Sequence, residues 1–300
     1  MKTIIESVPN FSEGQRGDVI SAIVNRVKEV PDVRVLDISS DPDHNRSVLT
    51  MVGNQGSLKE AILVLFEKAV ELIDLTKHRG EHPRMGAVDV VPFVPVKGVT
   101  TDDCVSLSKE IGKEVAERLN IPVYFYEESA SREERRNLAN IRKGQFEGFF
   151  EKIKLPQWQP DCGPAEVHPT AGVVAIGARE FLVAYNVNLG TDNLEVATKI
   201  AKAVRHISGG LRYVKALGMT LEERKLVQVS MNLVNYKKTP IYRVFELIKA
   251  EARRYGVPIV GSEIVGLVPN NALLAVAEYY LQIENFSPLQ VIENRLAEED

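Results

Sequence analysis

Apolar positions recur along the chain with two periods, and the switches between them predict its elements. Residues 3–8 read as a short strand, which Pro9-Asn10-Phe11-Ser12-Glu13-Gly14 breaks. Ile20, Ile23, Val24 and Val27 then share one face of a helix running to about Val30, with Ser12 its expected N-cap. Val33–Ile38 is β-branched and reads as a strand. The polar turn Ser39-Ser40-Asp41-Pro42-Asp43 leads to a second strand, Ser47–Val52. Helical spacing returns from Leu58 to Leu75, and the apolar run Ala87–Val94 reads as a buried strand. The order β-α-β-β-α-β is that of the split βαβ, ferredoxin-like arrangement.

A helix from Thr100 to about Asn120 and a strand at 122–126 follow. Ser131–Asn137 is too charged for a core element and predicts a surface helix. Residues 140–172 are weakly periodic and end in the glycine-bounded stretch Gly163-Pro164-Ala165-Glu166-Val167-His168-Pro169-Thr170-Ala171-Gly172. A long irregular loop of this kind is functional or disordered.

The second half repeats the pattern: strand 181–187, helix 192–207 stopped by Gly209-Gly210, strands 213–217 and 227–233, a helix opened by Thr239-Pro240, strand 257–260 and helix 269–282. The expected architecture is therefore α/β (α+β), two βαββαβ subdomains over 1–178 and 179–300, with a cleft between them. A local echo accompanies the repeat. Gly86-Ala87-Val88-Asp89-Val90-Val91-Pro92 and Gly261-Ser262-Glu263-Ile264-Val265-Gly266-Leu267-Val268-Pro269 each set an acid among apolar residues before a proline.

Between the second helix and the Ala87 strand lies His78-Arg79-Gly80-Glu81-His82-Pro83-Arg84-Met85-Gly86. Two histidines, two arginines and a carboxylate fall within nine residues, in a stretch that glycine and proline keep out of helix and strand. A polar loop held between two rigid elements is a common place for chemistry.

Composition narrows the classes. Charged residues make up 26% and the net charge is −4, so no basic footprint predicts a nucleic-acid partner. No run approaches the roughly 20 apolar residues of a membrane span. The start of the chain lacks the apolar region of a signal peptide. Cys104 and Cys162 form no metal spacing and read as reduced thiols, so a cytoplasmic location is expected.

Three chemistries compete for the histidine loop. A metal site on His78 and His82 would need the helix of an H-E-x-x-H motif, which Gly80 and Pro83 forbid, so no metal is expected. A phosphate site lacks any P-loop or G-x-G-x-x-G string. The third is proton transfer by a histidine, which ordinarily titrates near neutrality.

The strings Val8-Pro9-Asn10-Phe11-Ser12-Glu13-Gly14, His78-x-Gly80-Glu81-His82-Pro83-Arg84-Met85-Gly86, Asn45-Arg46 and 261–269 resemble the glutamate formiminotransferase family, over residues 3–285. The chain leaves no room for the cyclodeaminase domain that accompanies this domain in formiminotransferase-cyclodeaminase. The resemblance implies transfer of a formimino group from N-formiminoglutamate to N5 of tetrahydrofolate, with tetrahydrofolate as co-substrate in the cleft. It implies that His82 is catalytic, that Gly163–Gly172 contacts the folate, and that the protein is a homodimer. Asn10, Asp41, Arg46, Arg79 and Arg84 are the expected substrate-binding residues, since guanidinium forks match carboxylates. Alternatives are a folate-dependent formyltransferase and a non-enzymatic pterin-binding protein. Two departures from the family pattern stand out. Asp37-Ile38-Ser39 replaces an acidic D-x-D pair, leaving Asp37 or Asp41 to orient His82, and the 163–172 stretch carries Glu166 and His168. As a loop residue without a catalytic counterpart, His78 is expected to matter little to activity or to stability.

Overall fold

The computed structural model describes residues 3–299, which divide into two compact units between Glu180 and Phe181. In the first unit, β1 (Ile4–Ser7) and β2 (Asn10–Phe11) are two halves of one interrupted strand. Both pair antiparallel with the same two neighbours. Helix α1 (Gly17–Lys28) follows, then β3 (Arg34–Asp41), β4 (Arg46–Gly53), α2 (Gln55–Leu72) and β5 (Val88–Lys97). The βαββαβ order expected from the sequence is present. Next come α3 (Thr101–Leu119), β6 (Val123–Phe125), the short α4 (Leu138–Arg142), α5 (Gln145–Lys152) and β7 (Val174–Ala178). The strands form one sheet in which β3 flanks β4, β1 and β2 sit between β4 and β5, and β7 and β6 extend the far side in parallel pairing.

Local chemistry explains the boundaries. Asn54 caps α2 by accepting from the Ser57 amide at 3.0 Å, and Thr100 and Asp103 cap α3 reciprocally. The face of α1 carrying Ile23, Val24 and Val27 meets α2, whose Ile62, Leu65 and Phe66 are fully buried.

Several sequence expectations are corrected. Ser12 does not cap α1; its Oγ donates to the Gly86 carbonyl at 2.7 Å, 74 residues away. Residues 131–137 do not form a surface helix but a single tight turn, Glu133–Arg135. Arg135 within it is 1% exposed. Its guanidinium meets Asp161 at 2.8 Å, the carbonyls of Gln157 and Gln159, and the ring of Tyr124. Charge alone did not exclude this side chain from the core, because the loop supplies a partner for nearly every N–H. The weakly periodic region 140–172 holds the end of α4 and all of α5 rather than one long loop, and the buried strand β7 follows directly after it.

The second unit is built from β8 (Val183–Leu189), α6 (Leu194–Val204), β9 (Val214–Leu221), β10 (Leu226–Leu233), α7 (Ile241–Arg254), β11 (Ile259–Val265), α8 (Asn270–Leu281) and α9 (Ile292–Glu299). The sheet order is β11-β8-β10-β9, all antiparallel, so β8 and β10 are its central strands. Val187, Leu189, Val227 and Val229 pack with Ile200, Val204, Val244 and Ile248 in a separate core.

Candidate active site

The residues around the histidine loop converge because three chain segments are stitched together at one end of the first unit's sheet. Asn45 is the stitch. It holds a left-handed backbone conformation, φ 48°. Its side-chain Oδ1 accepts from the Gly14 amide and its Nδ2 donates to the Arg79 carbonyl, each at 2.8 Å. Its own carbonyl takes the N–H of His78 Nε2, also at 2.8 Å. Gly14 and Gly80 sit where a Cβ would fall 2.2 Å from the Asp41 carbonyl oxygen and 2.4 Å from that of His44. Gly14 and Gly80 are therefore required by close approach of backbones.

His78 and His82 differ in kind. His78 is buried, donates through Nε2 and accepts at Nδ1 from Arg84 Nε at 3.2 Å. Both its ring nitrogens are engaged, and burial lowers its pKa from the usual range. The expectation that His78 is a loop residue of little structural weight is thus corrected. His82 lines a cleft with Ser12, His44, Arg46 and Asp89. Arg46 Nη1 donates to His82 Nε2, which fixes the remaining ring proton on Nδ1, where it faces the Pro83 carbonyl. Burial, then the guanidinium groups of Arg46 and Arg142 and the His44 ring, push the His82 pKa down to about 3. The imidazole is neutral at physiological pH.

Asp89 anchors the floor. It is 1% exposed, accepts from the Met85 amide at 2.8 Å, and pairs with Arg142 Nε at 2.8 Å. Neither Asp37 nor Asp41 has a hydrogen bond to His82 among the described residues. Asp41 instead takes the His44 ring at 2.6 Å, and His44 meets His82 edge-on with ring centres 6.1 Å apart. His44, Asp89 and Arg142 were not singled out as site residues in the sequence; Asn45 entered only within the Asn45-Arg46 string and Asp89 only within the echo.

The other expected site residues fall as follows. Arg84 lines the same cleft, but Glu147 takes its fork bidentately at 2.7 and 2.9 Å. Arg79 is exposed and donates to the His78 carbonyl at 2.8 Å. Asn10 is half-buried in β2, its amide on the Val8 carbonyl. The 163–172 stretch runs beside the histidine loop. Leu75 N donates to Thr170 O, Ala87 N to Ala171 O and Val173 N to Met85 O, each at 2.9 Å. Gly163 and Gly172 have φ of 91° and 71°. Pro164, Ala165, Glu166 and Pro169 are at least partly exposed, whereas Val167 is buried. His168 Nδ1 accepts from the amides of Thr170 and Ala171 and so caps its own turn.

Comparison with known proteins gives concordant results. The N-terminal subdomain model of the formiminotransferase domain matches residues 4–179, and the formiminotransferase domain model matches 184–296. A glutamate formimidoyltransferase of Streptococcus pyogenes is 55% identical over 99% of each chain. One from Thermoplasma acidophilum is 49% identical over 98% of this chain and 97% of its own. The formimidoyltransferase-cyclodeaminase of Rattus norvegicus is 43% identical over 97% of this chain, which spans 54% of that longer protein.

Proposed function

The chain belongs to the formiminotransferase family, and from that premise we propose how its residues carry out the reaction. It is an enzyme that transfers the formimino group of N-formiminoglutamate to N5 of tetrahydrofolate, releasing glutamate. Formyl transfer and binding without turnover are not favoured by these relatives.

Tetrahydrofolate supplies the nucleophilic nitrogen. As the new N5–carbon bond forms, that nitrogen sheds a proton. As the carbon–nitrogen bond to glutamate breaks, the leaving nitrogen needs one. His82 takes the first proton on Nε2 and returns it to the leaving nitrogen. The observation that carries this role is the Arg46–His82 contact, which holds a neutral imidazole with its Nε2 lone pair on a guanidinium that also lines the cleft. A substrate carboxylate would compete for the Arg46 guanidinium, free Nε2, and offset the positive charge that depresses His82. The base would thus become basic only when the donor is bound. Arg79, exposed beside the cleft segment, is the second carboxylate anchor, while Arg84 holds the loop through Glu147. The 163–172 stretch, tied to the loop at Leu75, Met85 and Ala87, contributes the folate contacts.

The cytoplasmic location and the homodimer belong to this reading. Free Cys104 and Cys162 suit a reducing compartment, and Leu273, Tyr279, Tyr280 and Leu281 leave apolar surface on α8.

The test is an assay with N-formiminoglutamate and tetrahydrofolate, following 5-formiminotetrahydrofolate and glutamate together. Equimolar appearance of both is expected. Absence of product with both substrates saturating would refute the reading.

A further inference from the structure

Lys152 of α5 lies outside the histidine loop, yet its ammonium occupies a place built for it. Helix α4 has only five residues, too few to stand alone in water. A helix also leaves its last carbonyls without a helical partner. Lys152 Nζ donates to the carbonyls of Asn140, Ile141 and Lys143 at 3.0, 2.6 and 2.9 Å. These three bonds use every N–H that an ammonium has. The same nitrogen lies 3.8 Å from the ring centre of Trp158 and 4.7 Å from that of Phe149. A cation over aromatic faces and at a helix C-terminus is favoured on both counts. Among the described residues, no carboxylate pairs with it.

What α4 carries links this contact to the histidine loop. Arg142 lies between two of the carbonyls that Lys152 holds. Its Nε and Nη2 both donate to Asp89 Oδ2, and the other Asp89 oxygen accepts from the Met85 amide. Asp89 lines the cleft with His82, and Arg142 is among the cations that depress the His82 pKa. A continuous chain of bonds thus runs from Lys152 through α4 to the floor of the cleft.

We propose that Lys152 is a positioning residue for His82, acting through Arg142, and that loss of its proton loosens the floor. Only the ammonium does this fully. A neutral amine has two N–H groups for three carbonyls and no charge to set over Trp158. Burial, then the charges of Lys143 and Arg135, push the Lys152 pKa down to about 8. Arg135 is itself paired with Asp161. The charged form therefore predominates below pH 8 and is lost as pH rises through it. The inference rests on His82 being the base, as proposed above.

Trp158 is the chain's single tryptophan, so its fluorescence reads the contact directly. In wild-type protein the emission should change with an apparent pKa of about 8, and kcat should decline over the same range by about tenfold. Lys152→Met keeps a linear apolar stem against the rings and removes the charge. It should abolish the fluorescence transition, lower kcat about tenfold at pH 7 and leave it flat on the alkaline side. It should also move the acidic limb of kcat/KM upward by about half a pH unit, through the released Arg142. Arg142→Met should move that limb the same way, and the double variant no further than Arg142→Met alone. Lys152→Arg, which stays charged, should keep kcat within about threefold and carry the alkaline decline beyond about pH 10. A decline that persists near pH 8 in either Lys152 variant overturns the inference. So do additive limb shifts in the double variant, and wild-type emission that stays constant across pH 8. Failure of wild-type protein to turn over would instead strike the parent reading, while the Trp158 titration still tests the contact.

Discussion

Arg46 aims one Nη at Nε2 of His82, 36 residues along the chain, so the proposed base rests with its lone pair occupied by a cation. This pairing fixes the imidazole's tautomer and, second to burial, keeps it neutral.

His82→Ala should lower kcat by roughly 10²-fold or more while changing the KM for tetrahydrofolate little, because a base acts mainly in the transition state. His78→Ala should do the reverse. It strips a partner from the buried Asn45 carbonyl and from Arg84 Nε, and should cost about 1–3 kcal/mol of stability with a smaller effect on kcat. Steady-state kinetics and urea unfolding of both variants separate the two roles. A His78 variant as stable as wild type would reverse them.

Arg46→Ala should move the acidic limb of the kcat/KM profile upward by about one pH unit, since it removes one of the cations that depress His82. The limb should stop short of 6.5, because burial is the larger cause. The KM for N-formiminoglutamate should rise with it. A limb that stays in place while KM rises would show that Arg46 binds substrate without touching the base.

Stability should fall on the acid side for a specific reason. His82 has its folded pKa depressed to about 3 from an ordinary 6.5, so below pH 6.5 the unfolded chain binds a proton that the folded protein refuses. The stability present above pH 6.5 is therefore lost progressively as pH falls from 6.5 towards 3. Between pH 7.5 and 4.5 this group should contribute a loss of about 2 kcal/mol, which His82→Asn should abolish. Urea titrations of wild type and variant at the two pH values measure the difference. Equal losses would mean that His82 titrates normally.

Gly172→Ala should cost about 2–4 kcal/mol and raise the KM for tetrahydrofolate. Its φ is 71°, and a Cβ there would lie 2.1 Å from the Met85 carbonyl oxygen and 3.0 Å from Leu75 Cδ1. Thermal unfolding with parallel kinetics tests whether the 163–172 stretch and the histidine loop are displaced together. An unaltered KM in a destabilised variant would detach that stretch from folate binding.

The sequence made the amphipathic helices and the histidine loop legible because each is a local pattern. Ile23, Val24 and Val27 announce α1 without reference to anything else in the chain. What escaped detection depends on partners far away. The run Val174–Ala178 became a strand by pairing in parallel with β5 and β6, and no turn signal announces such a pairing. Arg135 looked like surface until Asp161 and the carbonyls of a later loop enclosed it. Ser12 had the right chemistry for a cap, and a carbonyl 74 residues away claimed its hydroxyl instead. The importance of His82 was visible in its string, but the guanidinium on its Nε2 was not.

Asn45 has a consequence for motion. Its side chain and carbonyl bridge Gly14, Arg79 and His78, and the Glu81 amide binds the Asp43 carbonyl two residues upstream. No one of these three loops can swing out without breaking bonds to another. Amide hydrogens of Gly14 and Glu81, although 67 positions apart in the chain, should therefore exchange with solvent through a single shared opening, with matching free energies, and Asn45→Ala should split that opening into separate events.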